Sequence, residues 1–181
     1  GATITVYNTV PTASLVYAIG GSSVSTVKQG DEVTITATFS EAMTDSPVVQ
    51  VLGSGVNSIS ASDMTKVSST SYTYSWTVGT GDGTQTFALA TGTDAQGNII
   101  TATPTSGATI TVDNTVPTAS LAYAIGGSSV STVKQGDEVT ITATFSEAMT
   151  DSPAVQVSGS GVNSITATDM TKVSTTSYTY S

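Results

Sequence analysis

The sequence predicts an all-β protein made of β-sandwich domains in tandem, about 106 residues per repeat. Three observations predict it. A long stretch of the chain recurs nearly unchanged. Apolar residues alternate with Ser and Thr at period two, and glycine-bearing turns separate the alternating runs.

The recurrence sets the organisation. Gly1 to Ser75 returns as Gly107 to Ser181, with Pro11 matching Pro117, a period of 106 residues in which 68 of 75 aligned positions are identical. A unit of this length is too long for a solenoid repeat and suits a domain that closes its own core. The run Asp113-Asn114-Thr115-Val116-Pro117-Thr118 reads as a linker, because proline holds itself and its predecessor extended. Residues 1–10 are then expected to be the last strand and linker of a preceding repeat. Residues 11–113 form a complete repeat, and residues 114–181 a second one lacking its final third. An alternative for the orphan amino-terminal strand is that it completes the unfinished repeat of a neighbouring chain by strand addition.

Within one repeat the alternation predicts seven strands. Leu15, Tyr17 and Ile19 share one face of the first, and Val33, Ile35, Ala37 and Phe39 one face of the next. Val49 with Val51, and Ile59 with Ala61, mark two more. Tyr72, Tyr74, Trp76 and Val78 follow, then Phe87 and Leu89, and last Ala108, Ile110 and Val112. A short extra strand is expected around Val24 to Val27. Gly20-Gly21, Gln29-Gly30-Asp31, Gly53-Ser54-Gly55, Gly81-Asp82-Gly83 and Ala95-Gln96-Gly97-Asn98 supply the turns. Only Glu41-Ala42-Met43 suggests a single helical turn. The differences between copies fit this phase: Val16, Val48, Leu52, Ser60 and Ser62 all fall on outward positions, Tyr7 lies in a linker and Ser69 in a turn.

Composition narrows function. A net charge of −9, with four lysines and no arginine, argues against a nucleic-acid partner, since binding a polyanion requires a basic surface. The excess acid suits divalent cations or simply solubility. Cysteine and histidine are absent, which removes disulfides, thiolate metal sites and the commonest general base. No apolar run approaches 18 residues and no basic-then-apolar leader opens the chain, so this segment is expected to make no membrane contact, and any export signal lies outside it.

Three strings carry a family likeness: Val112 to Pro117 (VDNTVP), Lys134 to Pro153 (KQGDEVTITATFSEAMTDSP) and Gly92 to Asn98 (GTDAQGN). In this order, at this period, they resemble the bacterial immunoglobulin-like repeats of giant surface proteins and adhesins. The resemblance covers the whole chain. It implies immunoglobulin-like sandwiches serving as extracellular extender modules of a cell-surface adhesin or filament, with neighbouring repeats or like chains as partners. It also implies calcium at domain junctions.

In such a sandwich the loops after the second and sixth strands lie at the end where the chain comes in. Those loops carry Glu41 and Asp45, and Asp94 and Asn98, which should face the preceding linker. For the second repeat the matching groups are Glu147 and Asp151, facing Asp113 and Asn114. Calcium takes six to eight oxygens of these kinds, so the eight residues are the candidate metal ligands. The alternative is a solvated acidic loop. Tyr7 stands where the other copy has Asp113, so the two junctions should differ in ligand number.

Competing readings are weaker. Gly79 to Thr84 looks like a phosphate loop but lacks a following helix and a lysine, and reads as a hairpin. Glu41 paired with Asp45 or Asp94 is the only route to a glycosidase, and no catalytic residue is assigned. A carbohydrate-binding or cell-contact module is the alternative of another class. It requires exposed aromatics, and only Tyr7, Tyr17 and the Tyr72 to Trp76 stripe are candidates.

Overall fold

The computed structural model describes all residues, 1–181. It contains no helix, and 49% of the chain is strand. The chain divides into two compact units, Gly1–Thr115 and Val116–Ser181.

The first unit holds ten strands: β1 (Ala13–Ile19), β2 (Ser22–Ser23), β3 (Thr26–Val27), β4 (Glu32–Phe39), β5 (Gln50–Gly55), β6 (Ile59–Asp63), β7 (Thr65–Ser68), β8 (Ser71–Thr77), β9 (Gly83–Thr91) and β10 (Thr109–Val112). They form two five-stranded sheets, ordered β2-β1-β4-β8-β7 and β3-β10-β9-β5-β6. Pairing is antiparallel except for β3 with β10, where Val27 lies opposite Val112 in parallel. The two sheets enclose one apolar core, as in a β-sandwich.

Period-two patterning explains the core. Along β4, Val33, Ile35, Ala37 and Phe39 are buried while the intervening threonines lie on the other face. Leu15 and Tyr17 of β1, Tyr72 and Trp76 of β8, and Phe87 and Leu89 of β9 meet them. Phe87 sits at the centre, its ring 5.2 Å from Trp76 and 5.7 Å from Tyr17. The Tyr17 hydroxyl donates to the carbonyl of Gly107 at 2.6 Å, and burial pushes its pKa well above the usual tyrosine value. Gly107 has φ +70°, and a Cβ there would run into the Leu15 carbonyl oxygen, so this approach of backbone to backbone requires glycine.

Several expectations need correction. Ala61 is exposed and Met64 takes the inward place, because a register shift between Val51 and Gly53 displaces the pairing of β5 with β6. Gly53 and Gly55 belong to β5 itself and do not form a separate turn. Gly79 to Thr84 is no hairpin: β8 and β9 lie in different sheets, and this segment crosses between them. Glu41 to Met43 forms no helical turn, since Met43 instead bridges to Asp94. Residues 1–10 carry no strand, there being no neighbour with which Ala2 to Val6 could pair. The short pieces β2 and β3 occupy the Val24 region, and β7 is an additional edge strand, so the count rises from seven to ten.

The register places the two chain ends of this unit at opposite poles. Ala13 at the start of β1 pairs with Phe39 at the end of β4. Val112 at the end of β10 pairs with Gly83 and Val27, near Asp31 and Val78 at the other end of β4 and β8.

The second unit repeats most of this pattern. Its strands are β11 (Ala119–Ile125), β12 (Ser128–Ser129), β13 (Thr140–Phe145), β14 (Gln156–Gly159), β15 (Ile165–Asp169), β16 (Thr171–Lys172) and β17 (Ser177–Tyr180). One sheet, β12-β11-β13-β17-β16, reproduces the first sheet of the other unit, and the second is reduced to β14-β15. The 181 residues hold no counterpart of β9 or β10 for this unit. Thr132 and Val133, identical to the residues of β3, accordingly form no strand, because the partner that makes β3 a strand is missing.

Candidate junction loops

The incoming pole of the first unit is built from the segments around Glu41 to Pro47 and Gly92 to Asn98. Thr44 ties them together: its amide donates to the Thr93 carbonyl at 2.8 Å, and the two threonine hydroxyls lie 3.0 Å apart. Gly92 has φ +148°, and its hydrogen faces Ile100 and Met43. Ser46-Pro47 is cis, as is Ser152-Pro153 in the second unit.

Two predicted ligands, Asp94 and Asn98, do come together, but as partners in closing their own loop. Asp94 is buried. One carboxylate oxygen accepts the backbone amides of Gln96 at 2.9 Å and Asn98 at 2.8 Å, and the other accepts the Asn98 Nδ2 at 2.7 Å. Burial alone would raise the Asp94 pKa, yet the hydrogen bonds from Asn98, Gln96 and Gly97 outweigh it and hold the carboxyl below the ordinary aspartate value. The Asn98 Nδ2 also reaches the Tyr7 carbonyl at 3.4 Å, which ties this loop to the incoming segment.

Asp45 is held elsewhere, by Lys66 at 2.8 and 3.0 Å. Its copy Asp151 makes the same bond to Lys172 at 2.6 Å. Both pairs are solvent-exposed, and pairs of that kind contribute little to stability. Glu41 differs from both, since its Oε1 is shut off from solvent with no hydrogen-bond donor. Glu147, its copy in the second unit, is half-buried.

At the outgoing pole Asp113 is exposed, its amide donating to Val27 O at 2.8 Å and its carboxylate accepting from Thr115 N at 3.1 Å. Asn114 is committed to its own unit. Its Oδ1 accepts the Gln29 amide at 2.6 Å, its Nδ2 donates to the carbonyls of Gly81 at 2.6 Å and Gly79 at 3.3 Å, and its amide donates to Asp82 Oδ1 at 2.7 Å. One asparagine thereby fastens the sheet-crossing segment to the turn before β4 and to the end of β10. This role escaped sequence reasoning, because the three partners are remote in the chain. The Asp94 loop had a readable signal, an aspartate two and four residues ahead of the amides it caps.

No group of three or more Asp or Glu side chains converges on a point where it could hold a metal ion. Within the first unit the acidic side chains at each pole act mainly as acceptors for the protein's own donors. As for stacking platforms, Tyr17, Tyr72 and Trp76 are buried and Tyr74 half-buried, which leaves Tyr7 as the exposed aromatic among the candidates. Comparison with protein-family models, with curated proteins and with solved structures finds no match.

Proposed function

We propose that the chain is a stretch of immunoglobulin-like extender repeats, a spacer in a large bacterial surface adhesin or extracellular filament, with no catalytic role of its own. The single observation that carries this reading is polar placement of the chain ends. The first unit receives the chain beside Phe39 and releases it beside Val27 and Gly83, so repeats joined in series add length instead of folding back. Strands of seven to nine residues make each repeat roughly 25 Å long in the strand direction. The covered carboxylates and threonine-lined faces suit a spacer, which gains nothing from a binding cleft.

Small-angle scattering on arrays of one, two and four repeats tests it. The maximum dimension should rise by a constant increment per repeat. A dimension that levels off, or a compact profile at four repeats, would overturn the reading.

Calcium at the junctions is the second part of the proposal. It is supported by the acidic loops and by the buried, unpartnered Glu41 Oε1. Lys66 and Lys172 already neutralise Asp45 and Asp151, so a cation binding there must displace an ammonium group. Calorimetric titration with calcium should give heat that Glu147→Gln and Asp151→Asn both abolish. No heat in the unsubstituted chain removes calcium from the reading and leaves the extender role standing.

A further inference from the structure

The internal repeat provides its own control for one surface. In the first unit Leu15 and Val27 are each 3% exposed beneath β9 and β10, whereas their identical copies Leu121 and Val133 are 52% and 57% exposed. Tyr123, Val130, Val133, Val139, Ile141 and Ile165 line an open groove of about 390 Å³ on that face. Its counterpart in the first unit is filled by the side chains of β9 and β10.

The same chain carries an unpaired copy of the missing strand. Ala2-Thr3-Ile4-Thr5-Val6 is identical to Ala108-Thr109-Ile110-Thr111-Val112, yet Ile4 and Val6 are 85% and 74% exposed where Ile110 and Val112 are 3% and 1% exposed. An apolar alternation with no sheet to enter and an apolar groove with no strand to cover it are complementary halves of one structure.

We propose that Ala2–Val6 of one copy adds as a parallel edge strand to Thr132–Val133 of a second copy, so that 181-residue chains associate head to tail. The first unit fixes the register. Thr111 and Val112 lie opposite Thr26 and Val27, so Thr5 and Val6 lie opposite Thr132 and Val133. The Thr111 amide donates to Ser25 O and the Asp113 amide to Val27 O, which assigns the Thr5 amide to Ser131 O and the Tyr7 amide to Val133 O. The Tyr17 hydroxyl donates to Gly107 O, which assigns the Tyr123 hydroxyl to Gly1 O. Ile4 and Val6 then enter the groove, while the β14 edge, where β9 pairs with β5 in the first unit, stays open to water. Donor and acceptor are different surfaces, so the contact is heterologous and propagates instead of closing a dimer. This inference stands apart from the extender role and does not depend on it.

Cysteine trapping tests it in a chain free of native cysteine. Val6→Cys combined with Val133→Cys should oxidise to a ladder of disulfide-linked dimers and higher oligomers. Val6→Cys with Val16→Cys, which lies exposed on another face, should give a background at least tenfold lower. The unsubstituted chain should show a weight-average mass in sedimentation that rises with concentration, and Ile4→Asp should return it to monomer. Residue 4 touches no core, so loss of assembly in that variant cannot come from misfolding. A strictly monomeric chain, a cross-link confined to one molecule, or assembly unchanged by Ile4→Asp would each overturn the proposal.

Discussion

The backbone amide of Asn57 donates to the Oε1 of Gln85 at 2.8 Å, joining the β5–β6 turn to the interior of β9. Gln85 occupies an inward position, in phase with Phe87 and Leu89, and is wholly buried. A polar side chain in that place is tolerated because a turn amide needs an acceptor that no strand supplies. Gln85→Leu keeps the volume and removes the acceptor. It should lower the stability of the first unit by about 1–3 kcal/mol, the usual cost of a stranded buried donor. Urea unfolding followed through Trp76, the only tryptophan, should show a lower midpoint with an unchanged slope. An unchanged midpoint would mean that water replaces the glutamine.

Asn114 supports a second prediction at the outgoing pole. Asn114→Ala removes the acceptor of the Gln29 amide and both donors to the Gly79–Gly81 segment, and is expected to cost about 1–2 kcal/mol. Asn114→Asp retains an oxygen for Gln29 and loses only the donors. Hydrogen exchange at the Gln29 amide should therefore accelerate in the alanine variant and stay slow in the aspartate variant. Equal acceleration in both would show that the fastening depends on Nδ2 alone.

What the sequence displayed of this fold follows from which forces are periodic. Leu15, Tyr17, Val33, Ile35, Phe39, Phe87, Leu89, Ile110 and Val112 were all legible as core, because alternation exposes one face of a strand in the residue order itself. Ala61 was misplaced because the bulge that shifts its register is a property of two strands together. Strand-to-sheet assignment was equally hidden, which is why the Gly79–Thr84 crossing resembled a hairpin. At the poles the acidic residues were visible but their partners were not. Lys66 lies 21 residues from Asp45 in the chain, and Gln29 lies 85 from Asn114.

Acid should destabilise the first unit through Asp31 and Asp94. The Lys28 backbone amide holds the Asp31 carboxyl below its ordinary value, against the opposing effect of burial. In Asp94 burial acts upward and the loop hydrogen bonds prevail. Both groups are thus more acidic in the folded chain than at the unfolded value of 3.8. The unfolded chain binds more protons in that range, so stability rises with pH there. The contribution is complete above the unfolded value and disappears as pH falls through the lowered folded values. Asp94→Asn should flatten the pH dependence of the urea midpoint below pH 4, whereas Asp45→Asn, at a position exposed to solvent, should not. Identical slopes in both variants would remove Asp94 from this account.

The two copies also allow the core's worth to be read at constant sequence. Ile35 and Ile141 sit in the same run, Thr-Ile-Thr-Ala-Thr-Phe, and pair with the same tyrosines of β8 and β17. Twenty buried apolar residues form the core around the first, and five form the core around the second. A unit of some 65 residues with half of one sheet missing buries too little apolar surface to offset the entropy of ordering its chain by much. Native-state hydrogen exchange at low protein concentration should therefore show the Ile141 and Ala143 amides opening at urea levels that leave Ile35 and Ala37 protected. Trp76 fluorescence should report only the later transition. Coincident opening of the two sets would mean that local strand propensity, which is the same in both copies, outweighs the packing that differs between them.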